Sequence, residues 1–200
     1  MEEDENMTRF NSHQGNVLVQ LARQTISKKI GQSQAAQNLT AIEAQLKDDI
    51  FRAHRATFVT LTIAGQLRGC IGSLVAMEPI TVNVKNNAIN AAFHDPRFQP
   101  LDAAEFRQVR IDLSILSEPS PLDFSDAREL LTKLRPQVDG VIIRKGPASA
   151  TFLPQVWEQL PDPHQFLSHL CMKAGLSSKA WQTLDLEVET YQVQSFKENH

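Results

Sequence analysis

Cysteine is scarce in this chain of 200 residues. Cys70 and Cys171 are too few and too far apart for a disulfide framework, and they fit a reducing cytoplasm. No uncharged apolar run approaches the roughly 18 residues that a membrane helix needs. The opening MEEDENMTRF has no apolar stretch and so no secretory signal, and residues 1–10 read as an acidic, flexible, solvated tail. Charge of one sign is not in excess either. A formal net charge of −3 leaves no electrostatic footprint for nucleic acid. There is no P-loop and no GxGxxG, so no bound nucleotide is expected. The six histidines and two cysteines show neither CxxC nor HExxH spacing, and no metal or other cofactor is expected from them. What remains is an ordinary globular composition, 42% hydrophobic and 22% charged, enough for one domain or for two lobes.

Periodicity alternates between helix and strand. After Asn11 and Ser12, Val17, Leu18, Leu21, Ala22, Ile26 and Ile30 form a helical stripe that Gly31 ends. The stretch from Ser33 to Arg55 is polar and weakly periodic, a helical or irregular approach. From Thr57 the period becomes two, and TFVTLTIAGQLRGCIGSL reads as a hairpin. EPITVNVKNNAINAAF is helical and HDPRFQPL breaks it. VRIDLSILS is a strand stopped by EPSPL, and FSDARELLTKL is a capped helix. GVIIRKGPASATFL is a second hairpin turning near Gly146-Pro147. PHQFLSHLCMKAGL is a helix ending at Gly175, and LEVETYQVQSFKE is a single final strand. Short helices and strands joined by hairpins predict an α/β (α+β) fold with mostly antiparallel sheet.

The segment QLRGCIGSL places an arginine, a cysteine and two glycines where a strand is expected. A three-residue turn at Ala64-Gly65-Gln66 pairs Ile63 with Leu67, Leu61 with Gly69 and Val59 with Ile71, which makes one face apolar. The other face then carries Thr62 beside Arg68, Thr60 beside Cys70 and Phe58 beside Gly72, with Arg68 and Cys70 on one side. Gly69 and Gly72 let a ligand or another backbone come close. A guanidinium near a thiol favours the thiolate, the reactive form. Free cysteine is also a common core residue, and spacing alone favours packing for Cys70.

LRGCIG, with FVTLTIAGQLRGCIGSL, NAINAAFHDPRFQPL, IDLSILSEPSPL, GVIIRKGPASATFLPQVWEQLP and FLSHLCMKAGL in that order, resembles the AMMECR family from about Asn11 onward. That resemblance implies an α/β fold of two unequal lobes, with an antiparallel sheet flanked by helices in the larger and a cleft at the signature hairpin. The expected organisation is one AMMECR-type domain over 11–198 with a smaller lobe inserted mid-chain. Members of the family are associated with a Memo-type protein and a radical S-adenosylmethionine protein in the system labelled AmmeMemoRadiSam. This implies a modification pathway with those partners and turns Cys70 from packing toward function. The expectation is a cysteine-dependent enzyme of unassigned reaction, with Cys70 as nucleophile or thiol site and Arg68 activating it or binding an anion. The alternative is a non-catalytic adaptor that docks a protein partner at the same cleft.

Other residues are weighed beside these. Asn83, Asn86, Asn87 and Asn90 make a helical amide stripe, of which Asn87, inside a family block, is the binding candidate and the other three suit a wet surface. Asp95 and Arg97 are binding candidates and equally a loop clamp. Backbone amides at Gly69 and Gly72 are candidates for stabilising developing charge. His94 occupies a variable slot of the family block and is discounted as a base. Asp112 and Ser114 face away from the strand's apolar side and suit a solvated face, or assist chemistry if that face shares the cleft. Cys171, Trp157 and Trp181 suit the core.

Overall fold

A computed structural model describes residues 9–32, 35–183 and 185–198; eight of the ten residues read as an acidic tail, 1–8, lie outside them. The chain divides into two compact units. One runs up to Leu116 and resumes at Gln194, and the other is Ser117–Val193. The fold is mixed α/β, with two antiparallel sheets and six helices among the described residues.

In the first unit, α1 (Ser12–Ile30) starts in a reciprocal cap, in which the Asn11 side chain accepts from the Gln14 amide and the Gln14 side chain from the Asn11 amide. It ends at Gly31, whose φ of 85° suits a left-handed stop. The polar stretch that follows holds α2 (Ala35–Glu43) and a 3-10 turn at Asp49–Arg52. Strands β1 (Thr57–Ile63) and β2 (Gln66–Gly72) form the hairpin, followed by α3 (Ile80–Phe93), the short α4 (Ala103–Phe106) and β3 (Val109–Leu116). With β8 (Val193–Lys197) the sheet order is β2-β1-β3-β8. Val59, Leu61, Ile111 and Leu113 point from this sheet into the core, where Leu18, Leu21 and Ile26 of α1 and Val84, Ala88 and Ala91 of α3 meet them.

The second unit holds the two-residue β4 (Ser120–Pro121), α5 (Ala127–Lys133), β5 (Gly140–Lys145), β6 (Ala148–Phe152), α6 (Pro163–Lys173) and β7 (Glu187–Tyr191), in the order β4-β7-β5-β6. Its core stacks Trp157 on Phe166 at 3.6 Å between ring centroids, and the Trp157 indole donates to the Asp139 carbonyl. Cys171 is buried in this core, where desolvation pushes its thiol pKa up.

Three expectations are corrected. LEVETYQVQSFKE is two strands, because Gln192 leaves the β7 ladder to bond Ser117 and the chain then joins the other sheet as β8. EPSPL stops β3 but also supplies β4, paired with β7. The first hairpin closes on two residues, not three: Ala64 and Gly65 take φ of 50° and 78°, the mirror-image turn whose twist suits paired strands. Phe58–Gly72, Val59–Ile71, Thr60–Cys70 and Leu61–Gly69 pair as expected. Beyond them Arg68 is an unpaired bulge, so Thr62 faces Leu67 and Ile63 faces Gln66. Leu67 therefore leaves the apolar face and is 44% exposed.

Candidate functional site

Cys70 sits in β2, the edge strand, on the sheet face opposite the core. It is a half-buried free thiol, and the Thr60 hydroxyl across the strand pair donates to its Sγ at 3.2 Å. Its main chain is held from outside the sheet. The Cys70 amide donates to Asp95 Oδ2 at 2.9 Å, and Arg97 Nη2 donates to the Cys70 carbonyl at 3.2 Å. Asp95 in turn receives the Arg97 amide, Nε and Nη2 at 3.1, 2.9 and 2.7 Å. These charge-assisted bonds, led by those from Arg97, hold the buried Asp95 carboxyl well below the usual carboxylate range. The Arg97 guanidinium is pushed up, mainly by its hydrogen bonds to Asp95. Asp95 and Arg97 thus stand where a neighbouring strand would bond, and they close the sheet edge at the cysteine.

Arg68 is placed elsewhere. Its Nε and Nη2 donate to the Glu105 carboxylate at 3.0 and 2.7 Å, and Nη2 also reaches the Gln99 carbonyl. None of these bonds goes to Cys70, so the expected Arg68–thiol pairing is corrected. The cause is the bulge, which takes Arg68 out of the regular alternation and hands it to α4. Glu105 is lowered and Arg68 raised chiefly by this one pairing. Asp102 accepts from the Ala104 and Glu105 amides and so starts the α4 turn that presents Glu105. The spacing DAAE is an N-cap signature that sequence reasoning passed over.

The glycines clear space for the protein itself. A Cβ on Gly69 falls 2.2 Å from the Ala91 carbonyl oxygen of α3, and one on Gly72 falls 2.4 Å from the Phe58 ring. Neither opening is left for a ligand, and the Cys70 amide between them is taken by Asp95. Asn87 is likewise committed. Its amide donates to the Thr57 carbonyl at 3.0 Å, the Thr57 hydroxyl at 3.1 Å and Asn83 Oδ1 at 2.9 Å. Asn83, read as wet, is buried and accepts from the Thr57 amide and hydroxyl. Asn86 is exposed and bonds Glu78. The two buried amides pin α3 to the start of β1, while the stripe also lines a cavity of about 480 Å³ together with Ser73, Val75, Met77 and Glu78. His94 is exposed at the end of α3.

Next to Thr60 on the face that carries Cys70 lies Asp112 of β3. Burial pushes its carboxyl up, partly countered by Lys197. Among the described residues no three His, Cys, Asp or Glu side chains converge as a metal set, and no helix is long and apolar enough to cross a membrane.

Fold and site together define an α/β protein of two antiparallel sheets that carries a free thiol on a clamped edge strand. The chain belongs to the AMMECR1 family, whose model matches residues 19–196. A protein of Methanothermobacter thermautotrophicus is 35% identical over 190 residues, covering 93% of this chain and 95% of its own. One of Methanosarcina mazei is 35% identical over 187 residues, with 92% of each covered. The crystal structure of the uncharacterized protein PH0010 from Pyrococcus horikoshii matches the fold with a TM-score of 0.76 at 28% identity, covering 96% of this chain and 94% of that one.

Proposed function

We propose that this protein is the cysteine-dependent component of a modification pathway in the cytoplasm, acting through Cys70. The observation that carries the reading is the environment of the thiol. Cys70 is half-buried, receives a hydrogen bond from Thr60, and is fixed through both main-chain polar groups by Asp95 and Arg97. A nucleophile gains from such positioning, because its attack direction is set before a substrate arrives. Arg97, bonded to the Cys70 carbonyl, is the guanidinium at this position that would bind an anionic group of a substrate, the other part first given to Arg68. The substrate is an electrophile small enough to approach a half-buried sheet face. The partners that suit the pathway are a Memo-type protein and a radical S-adenosylmethionine protein.

The test is iodoacetamide labelling with each cysteine followed separately by mass spectrometry, and Cys70→Ser as control. Cys70 labelling far ahead of buried Cys171 supports the reading, and equal, slow labelling of both overturns it.

A second reading, an adaptor without catalysis, is favoured by the exposed Leu74, Val75, Met77 and Val82 beside the amide-lined cavity. On that reading Cys70→Ser retains capture of a Memo-type partner, and Val75→Asp with Met77→Asp abolishes it.

A further inference from the structure

One residue of β1 dictates how two asparagines of α3 point their amides. The Thr57 amide can only donate, and it donates to Asn83 Oδ1 at 3.1 Å. The Thr57 carbonyl can only accept, and it takes Asn87 Nδ2 at 3.0 Å. The other end of each side chain is thereby fixed. Asn83 Nδ2 turns to the Glu78 carboxylate at 3.2 Å and to the Ser73 hydroxyl. Asn87 Oδ1 turns away from Thr57 and accepts no hydrogen bond among the described residues, although Asn87 is only 6% exposed and lines the cavity of about 480 Å³. A buried acceptor left in this way costs stability until a donor reaches it.

The donors around the cavity are largely spent. Asn86 Nδ2 lies 3.1 Å from both Glu78 oxygens, and the Ser73 hydroxyl donates to the Val75 carbonyl. What remains is chiefly acceptor: Asn87 Oδ1, the free lone pairs of Glu78, and Asn90, whose side chain makes no hydrogen bond among the described residues. Glu78 pairs with no cation among them, and Lys85, the one lysine of α3, is engaged by Glu43. Val75, Met77 and Ile89 add apolar wall. A carboxylate without a counter-ion, beside an unbonded amide oxygen and apolar wall, fits a positively charged donor on an aliphatic stem. A bare divalent cation would exchange its water for one carboxylate and three apolar side chains, a poor match. Asn86 decides the form of the organic cation. A guanidinium binds a carboxylate best with one N–H on each oxygen, and Asn86 Nδ2 already spans that edge. An ammonium is a compact charge with three donors and needs no such edge.

We propose that this cavity binds a primary alkylammonium group, with Glu78 as its counter-ion and Asn87 and Asn90 as the acceptors that orient it. The group is that of a free aliphatic amine or of a lysine side chain, which share this chemistry. Cys70 does not line the cavity, so the site stands whether or not the thiol is reactive, and whether or not a partner docks on the exposed residues beside it.

The test is a titration of the isotope-labelled full chain with n-butylamine, and separately with Nα-acetyl-lysine amide, near pH ~7, followed by NMR of the side-chain amides. The Asn86, Asn87 and Asn90 signals are expected to shift and saturate, with a Kd on the order of 1 mM for n-butylamine. Tighter binding of the lysine derivative supports the site and names a lysine side chain as its source; tighter binding of n-butylamine supports it with a free amine. n-Butanol, which has the same stem and no charge, and n-butylguanidine are expected to bind about ten-fold more weakly. Glu78→Gln keeps the shape and removes the charge, and should weaken n-butylamine about ten-fold. Asn90→Asp adds a second carboxylate and should tighten it by about as much, a gain that a merely structural effect does not give. Absence of a saturable shift, equal binding of n-butanol, or a Glu78→Gln curve that superimposes on the wild type overturns the ammonium site. Tighter binding of n-butylguanidine than of n-butylamine overturns the choice of cation. Backbone amide spectra check the fold of each variant, and Asn90→Asp carries the test if Glu78→Gln does not fold.

Discussion

Asp95 accepts the amide hydrogen of Cys70 at 2.9 Å, across a sequence separation of 25 residues. The bond fills a position that a further strand would otherwise take, and Arg97 completes it by donating to the carbonyl of the same residue. The cysteine that gives the hairpin its chemical interest is therefore the point at which the loop after α3 grips the sheet.

Replacing Asp95 with Asn separates the charge from the shape. The folded carboxyl is depressed, chiefly by Arg97, so its contribution to stability is present above the unfolded carboxylate value near pH ~4 and is lost as pH falls through the folded one. Asp95→Asn is expected to lower stability by about 2–3 kcal/mol at neutral pH, with a flatter loss in acid than the wild type. Trp157 and Trp181 both lie in the second unit, so fluorescence does not report on this site directly. Amide exchange along β2 against pH is the measurement, and equal exchange in the two proteins at neutral pH refutes the clamp.

Gly69→Ala tests the contact between β2 and α3. The added methyl carbon meets the Ala91 carbonyl oxygen at 2.2 Å, and that atom belongs to a helix backbone that cannot swing aside. A loss of about 2–3 kcal/mol is expected, at the upper end of overpacking effects. Urea unfolding followed by far-ultraviolet circular dichroism checks it. A near-neutral result would mean that α3 slides freely over the hairpin.

The asparagine stripe divides by position. Asn83→Ala removes the acceptor of the Thr57 amide and hydroxyl in a buried setting, with an expected loss of about 2 kcal/mol. Asn86→Ala, on the exposed side, is expected within about 0.5 kcal/mol of the wild type. Thermal unfolding of the two variants in parallel decides it, and similar melting temperatures would show that the stripe is a uniform surface after all.

Local pattern was enough for much of this fold. The α1 stripe, its Gly31 stop and the outer four pairs of the first hairpin follow from apolar spacing, since a one-residue slip would turn Val59 and Leu61 to the outside. The hairpin turn escaped because a clean apolar face presupposes regular pairing, and the Arg68 bulge lets Leu67 change sides without disturbing Val59 or Leu61. The partners of the polar residues escaped for a different reason. Arg68 meets Glu105 at a separation of 37 residues and Asn87 meets Thr57 at 30, and polar spacing along one helix does not show which side chain lies across from it. Strand-like alternation likewise continues through Gln192 and hides the passage from one sheet to the other.

Tyr191 offers a reading of the second unit that needs no substitution, because the chain has one tyrosine. Its hydroxyl lies among Thr151 and the Phe152 carbonyl, and its ring fills the space above Gly140, where a Cβ would fall 2.3 Å from it. Burial pushes the phenol up to about 12 from its ordinary value of 10.0, against a smaller opposing effect of Thr151. The folded protein therefore holds a proton that the unfolded chain releases. Stability of this unit is unaffected below pH ~10 and declines between pH ~10 and ~12, by up to about 3 kcal/mol. An absorbance titration at the phenolate band should show little ionisation until the upper part of that window and then a rise coincident with loss of the Trp157 and Trp181 fluorescence signal. Ionisation near pH ~10 with the fluorescence unchanged would show Tyr191 to be solvated, and the packing of its ring over Gly140 would have to be redrawn.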